Sequence, residues 1–204
     1  EFMATPFSIA AVELLERLNV KRYKIGSEDV GNLLMLDRIA SLEKAVLLSS
    51  GMSDWAELDA AIRQITRHHS QISLMHCTTA YPCPPESCGL STIAEMKSRY
   101  GFPVGYSDHS ASIYAGLGAV ALGAELLEFH VCFDRRMFGP DAKASLTIDE
   151  VKVLAEGVRF LEKAIPVNGF KEDASGFEEL KKIFGRSLSV NRDLHAGAII
   201  LQAA

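Results

Sequence analysis

Along this chain a short apolar run, a loop rich in Ser, Thr, Gly or Pro, and a longer segment of helical period recur in that order. The apolar runs fall at 2–4, 22–25, 45–48, 72–77, 104–106 and 126–131. Between them lie "SIAAVELLERL", "NLLMLDRIASL", "DWAELDAAIRQITRH", "LSTIAEMKSRY" and "SASIYAGLGAVALG". Their apolar residues return every three or four positions, as one buried helix face requires. Strands and helices that alternate through short connections make βα units and a parallel sheet. About six units are countable. Two architectures accommodate them: an open doubly wound sheet, or a (β/α)8 barrel short of two strands. No G-x-G-x-x-G follows the first run, which weakens the dinucleotide-binding form of the open sheet.

In either architecture the site lies at the carboxyl ends of the strands. Polar residues gather there: Thr5, Ser27 to Asp29, Ser49 and Ser50, Thr78 and Thr79, Ser107 to Ser110, and His130. Side chains alternate faces along a strand. Ser107 and His109 therefore share the mouth side while Asp108 points away, and Glu128 shares a face with His130. Two neutral imidazoles near a carboxylate suit a first-row divalent ion such as manganese, zinc or iron. A lone His is more often a hydrogen-bonded structural residue, and His68, His69 and His76 are read that way. Lys24, Ser27 and Ser49 offer donors to an anionic ligand, joined by loop N–H groups at helix N-termini. A core ion pair is the alternative role for Lys24.

The remaining composition excludes more than it assigns. A net charge of −5 without a basic stripe argues against a nucleic-acid binder. No apolar run approaches the roughly 20 residues of a membrane span, and no secretory signal precedes the first run. A cytoplasmic protein is expected. Its four cysteines, at 77, 83, 88 and 132, are read as reduced thiols, because zinc-finger spacing is missing. A capping box at Thr147 and Glu150 starts the last clear helix, which runs to about Ala164. The domain reading is a partial barrel over 1–165, a linker over 166–183 and the beginning of a second module over 184–204. Within the linker, "ELKK" reads as a solvated helix face. Both ends read as cut from something longer.

"FMATPF", "RYKIGSED", "VLLSSGM", "LMHCTTAYPCP", "PVGYSDHS", "ALGAELLEFHV" and "GPDAKASL" together resemble the N-acetylneuraminate (sialic acid) synthase family. "RSLSVNRDLHAGAII", which reads as short strands around a turn, resembles the entry to that family's C-terminal antifreeze-like (SAF) domain. The resemblance implies a (β/α)8 TIM barrel followed by that small domain, in a domain-swapped homodimer. It implies condensation of phosphoenolpyruvate with N-acetylmannosamine or a related N-acylated amino sugar, giving a nonulosonic acid and phosphate. Legionaminate-, pseudaminate- and 9-phosphate-forming relatives are the alternatives, as is a non-catalytic fragment that only binds metal and ligand. His109 and His130 resemble the ligands of a divalent ion, manganese first, magnesium or cobalt next. Thr5, Lys24, Ser27, Ser49, Thr79 and Ser107 resemble phosphoenolpyruvate contacts, while Tyr81 and Asp141 resemble sugar contacts. Asp29 takes the place of an acidic catalytic residue near the sugar, beside His109 and His130.

The chain departs from the family pattern at two of these positions. Thr79 stands where Asn is frequent, and Glu28 stands where many relatives have Gly. The second change removes backbone freedom and adds a carboxylate beside an anion site. Measured against the family, two barrel strands with an acidic residue and a lysine are missing ahead of Glu1. Most of the antifreeze-like domain is missing too. A partial barrel leaves unpaired edges, so this chain alone is expected to be inactive.

Overall fold

A computed structural model describes residues 1–165, 173–187, 189–190 and 192–199. They belong to two compact units, Glu1–Ile165 and Pro166–Ala204.

The first unit is built on a five-stranded parallel sheet in chain order: β1 (Arg22–Ile25), β2 (Ala45–Ser49), β3 (Ile72–Cys77), β4 (Val104–Asp108) and β5 (Leu127–Phe129). Helices α1 (Ile9–Arg17), α2 (Leu33–Ala40), α3 (Trp55–Thr66), α4 (Thr92–Tyr100) and α5 (Ile113–Ala121) alternate with the strands. Most begin on a residue able to accept from a free N–H. Ser8, Asn32 and Ser112 cap α1, α2 and α5, and Asp54 forms a capping box with Glu57 on α3. Gly101 ends α4 at φ 68°, a conformation that glycine adopts without a Cβ clash.

Alternation sorts the sheet into two faces. Tyr23, Ile25, Val46, Leu48, Leu74, Val104 and Tyr106 are buried in one apolar core with Val12, Leu36, Ile39, Leu58, Ile65, Ile93, Met96 and Ala119 from the helices. The other face carries Lys24, Ser49 and Ser107. Lys24 on β1 and Glu128 on β5 meet at 3.0 Å between Nζ and Oε2. These are the two edge strands. In a flat sheet, four steps of about 4.8 Å would hold them about 19 Å apart. The sheet is therefore curled toward its polar face, as the wall of a barrel is.

Two expectations about strands are corrected. The first run forms no strand: only Ala4 bridges to Tyr23, with the Lys24 N–H donating to the Ala4 carbonyl at 3.3 Å. Pro6 has no N–H to extend the ladder. The run at 126–131 is broken at His130. Beyond it, β6 (Val131–Cys132) pairs in parallel with β7 (Leu146–Thr147) in a separate two-stranded sheet. Leu146 and Thr147 carry too short and mixed a pattern to read as a strand. Helix α6 (Ile148–Ala164) starts on the expected Thr147–Glu150 capping box.

The second unit contains a 3-10 turn at Ser175–Phe177 and α7 (Glu178–Phe184). The stretch read as a linker thus ends in a helix whose residues are all exposed, with Lys182 and Glu179 paired at 2.9 Å. Short strands were expected beyond Arg186. The described residues there include no strand, and positions 188, 191 and 200–204 lie outside them.

Candidate active site

The carboxyl ends of β1 to β5 surround a cavity of about 390 Å³. Thr5, Lys24, Ser27, Ser49, Thr79, Tyr81, Ser107, His109 and His130 all line it. They come from strand ends and loops up to 125 residues apart in the chain, brought together because parallel strands all end on the same rim. Phe7, Gly26, Glu28, Met52, Cys77 and Glu128 complete the wall.

At the floor, the buried Lys24 ammonium donates to Ser49 Oγ at 2.8 Å and pairs with the half-exposed Glu128. Lys24 does make an ion pair, with a carboxylate that lines the cavity rather than one within the core. Gly51 stands close behind: a Cβ there would fall 2.6 Å from Ser27 Oγ and 3.1 Å from a Thr79 methyl carbon. A side chain at position 51 would push into the cavity wall.

Across the cavity, the His109 and His130 rings lie 5.3 Å apart between centroids, and the Tyr81 ring lies 4.1 Å from His109. His109 follows β4 and is held by its backbone, where its carbonyl accepts from the Cys83 N–H at 2.8 Å. Its Nδ1 is buried without a protein partner. Burial, then the neighbouring His130, pushes the His109 pKa down, so the ring is neutral near pH 7. A neutral imidazole with a free nitrogen beside a second imidazole fits a metal-ligating pair. His130 Nδ1 is 4.0 Å from Asp141 Oδ2, beyond a hydrogen bond. Among the described residues, no three His, Cys, Asp or Glu side chains gather as a complete metal cage. Partial burial, followed by the nearby Cys77 and the carboxylates of Asp141, Glu128 and Glu28, raises the Tyr81 pKa. The phenol stays protonated.

Asp108 turns away from the mouth, where its two carboxylate oxygens accept from the Ser110 N–H at 2.9 Å and the Ser110 hydroxyl at 3.0 Å. That turn fixes the backbone just beyond His109. Two of the sequence candidates lie outside this cavity lining. Asp29 sits in the 3-10 turn Ser27–Asp29, and its carboxylate accepts from the Asn32 side chain at 3.1 Å. Asp141 lines an adjoining cavity of about 320 Å³ that shares His130 and includes Phe133, Met137 and Phe138. Glu28 does reach the first cavity, its carboxylate lying over Gly26. Sequence reasoning did not assign Glu128 a site role, although its shared face with His130 was visible.

Three other histidines are engaged structurally. His76 Nε2 bonds the Cys88 carbonyl at 2.9 Å, and His68 Nε2 meets Asp37 at 2.8 Å. His69 Nδ1 accepts from the Gln71 N–H at 3.1 Å.

A curled parallel sheet with helices on its apolar face and a polar cavity at the strand ends defines an α/β protein of the TIM-barrel class. Its sequence matches the NeuB family over residues 1–169. The N,N'-diacetyllegionaminic acid synthase of Campylobacter jejuni is 37% identical over 97% of this chain and 60% of its own length. Human N-acetylneuraminate-9-phosphate synthase is 34% identical over 80% of this chain and 46% of its own. The crystal structure of an N-acetylneuraminic acid (sialic acid) synthetase from Leptospira borgpetersenii superposes with a TM-score of 0.81 at 33% identity. That superposition covers 90% of this chain and 65% of the other. The chain belongs to the NeuB family. It spans about 60% of the length of the Campylobacter relative.

Proposed function

We propose that this chain supplies much of the active site of a nonulosonic acid synthase, a transferase that condenses phosphoenolpyruvate with an N-acylated amino sugar. The carrying observation is the buried, unpartnered His109 Nδ1 beside His130, on the same cavity as Lys24, Ser27, Ser49 and Ser107. In this reading Lys24, the three serines, Thr5 and Thr79 bind the phosphate and carboxylate of phosphoenolpyruvate. An arriving anion competes with Glu128 for the Lys24 ammonium. His109 and His130 would hold the divalent ion, manganese by preference and magnesium or cobalt otherwise, which supplies Lewis-acid polarisation of a carbonyl. The protonated Tyr81 phenol donates to the sugar, and Asp141 accepts from it on the far side of His130. Asp29 serves near the sugar after exchanging its bond to Asn32.

The net reaction joins C3 of phosphoenolpyruvate to the sugar aldehyde carbon. Water adds at C2, and phosphate leaves by C–O cleavage. N-acetylmannosamine is the first candidate acceptor. Acceptors of the legionaminate, pseudaminate and 9-phosphate types are the alternatives, since relatives bearing such names match this chain. A cytoplasmic homodimer is part of the proposal. Among the described residues, no helix is long and apolar enough to cross a membrane.

The test is phosphate release from phosphoenolpyruvate with each acceptor, with and without manganese. It is run on the 204-residue chain and on a longer chain that contains it. We expect turnover only in the longer form, and failure there with every acceptor overturns the reading. The Lys24–Glu128 pair favours a second reading, since it already satisfies the cavity's cation: a piece that binds metal and ligand without turnover. Metal titration followed by intact mass, with saturable binding and no phosphate release by any form, would select it.

A further inference from the structure

Two of the four cysteines, all of them free thiols, form a pair that the proposed reaction leaves unused. Cys83 and Cys88 are both buried, and their Sγ atoms are 4.0 Å apart. The 3-10 turn Pro85–Ser87 folds the chain between them, and both thiols lie near the Pro84 carbonyl, at 3.5 Å and 3.7 Å. A disulfide needs its sulfurs about 2.05 Å apart, so an approach of about 2 Å joins them. Side-chain rotation within one short turn can provide much of that. Cys77 and Cys132, by contrast, are each half-buried and have no cysteine partner among the described residues.

We propose that Cys83 and Cys88 are a reversible dithiol–disulfide pair whose oxidation locks the loop between β3 and α4. That loop is tied to the cavity at its start and to β3 at its end. Thr79 and Tyr81 line the cavity wall, and the Cys83 N–H donates to the His109 carbonyl at 2.8 Å. At the other end the Cys88 carbonyl accepts from His76. Oxidation removes one proton and one electron from each thiol and forms one S–S bond. The two electrons and two protons reduce a low-molecular-weight disulfide, oxidised glutathione, to two thiols. Burial pushes the Cys88 thiol pKa up, so exchange waits on loop opening and is slower than at an exposed thiol. The inference stands whether or not the proposed condensation is correct.

The test uses oxidised glutathione on the native 204-residue chain and, in parallel, on the chain in urea. Free thiols are alkylated, and cleavage after Glu86 separates the two cysteines for mass spectrometry. The expected native product is 2 Da lighter, carries a Cys83–Cys88 linked peptide, and reverts with dithiothreitol. Urea should scatter the pairing over all four cysteines. Hydrogen exchange over residues 78–92 should slow in the oxidised chain, and Cys132→Ser should leave the native-state product unchanged. Full alkylation of Cys83 and Cys88 after native oxidation would overturn the proposal. So would a native pairing no more selective than that in urea.

Discussion

His109 and Gly105 show how single positions at opposite ends of β4 set different properties. His109 is held through its backbone and has a free ring nitrogen, so removing the ring should remove a ligand while leaving the strand intact. His109→Ala and His130→Ala should each abolish manganese binding by titration calorimetry, with the helical circular-dichroism signal retained. Unchanged metal stoichiometry in both would refute the ligand assignment. Gly105 is instead required by packing. A Cβ there would fall 2.5 Å from Met75 Sδ and 2.8 Å from the Leu126 carbonyl oxygen, and the second of these is backbone. Overpacking of this kind costs about 1–3 kcal/mol, so Gly105→Ala should lower the urea midpoint accordingly. An unchanged midpoint would mean that β4 and β5 pack less closely than described.

Helix starts are the elements most directly encoded. At α6 the Thr147 hydroxyl accepts from the Glu150 N–H, and the Glu150 carboxylate accepts from the Thr147 N–H at 2.8 Å. The same carboxylate pairs with Arg135, which also donates to the Ala111 and Ser145 carbonyls at 2.9 Å. The box therefore anchors the loop beyond His109 as well as the helix. Thr147→Ala should cost about 1 kcal/mol, read by urea denaturation, whereas Thr147→Ser should restore most of it. Equal losses in both would place the cost elsewhere. Strand ends were less legible than helix starts. A capping box is local chemistry, readable in four residues. The break at His130 depends on which neighbour each half finds, β4 for Leu127–Phe129 and β7 for Val131–Cys132.

Protonation acts on the whole molecule. His76 and His109 both have pKa values pushed below the ordinary histidine value, with burial the leading cause in each. The unfolded chain therefore takes up protons first as pH falls through about 6.5. Stability is unaffected by these groups above that pH. It declines from there down to their lowered folded values, where the loss is complete. Thermal midpoints should fall between pH 7 and pH 5, and His76→Gln should flatten the fall. A midpoint indifferent to pH in that window would show that neither ring is buried neutral.

Periodicity and caps alone determined that this is a parallel α/β chain with its polar residues at the strand ends. Both signals are local, arising from the 3.6- and 2-residue repeats and from the free N–H groups at helix starts. The ordered motifs then pointed to the family. Tertiary structure decided which polar residues share a cavity. It placed Thr5, Lys24 and His130 around one cavity, left Asp29 bound to Asn32, and moved Asp141 into the adjoining space. It also joined Lys24 to Glu128, 104 positions apart, across the curled sheet. Such a contact follows from the curvature and register of five strands together, and no stretch of sequence carries that information by itself.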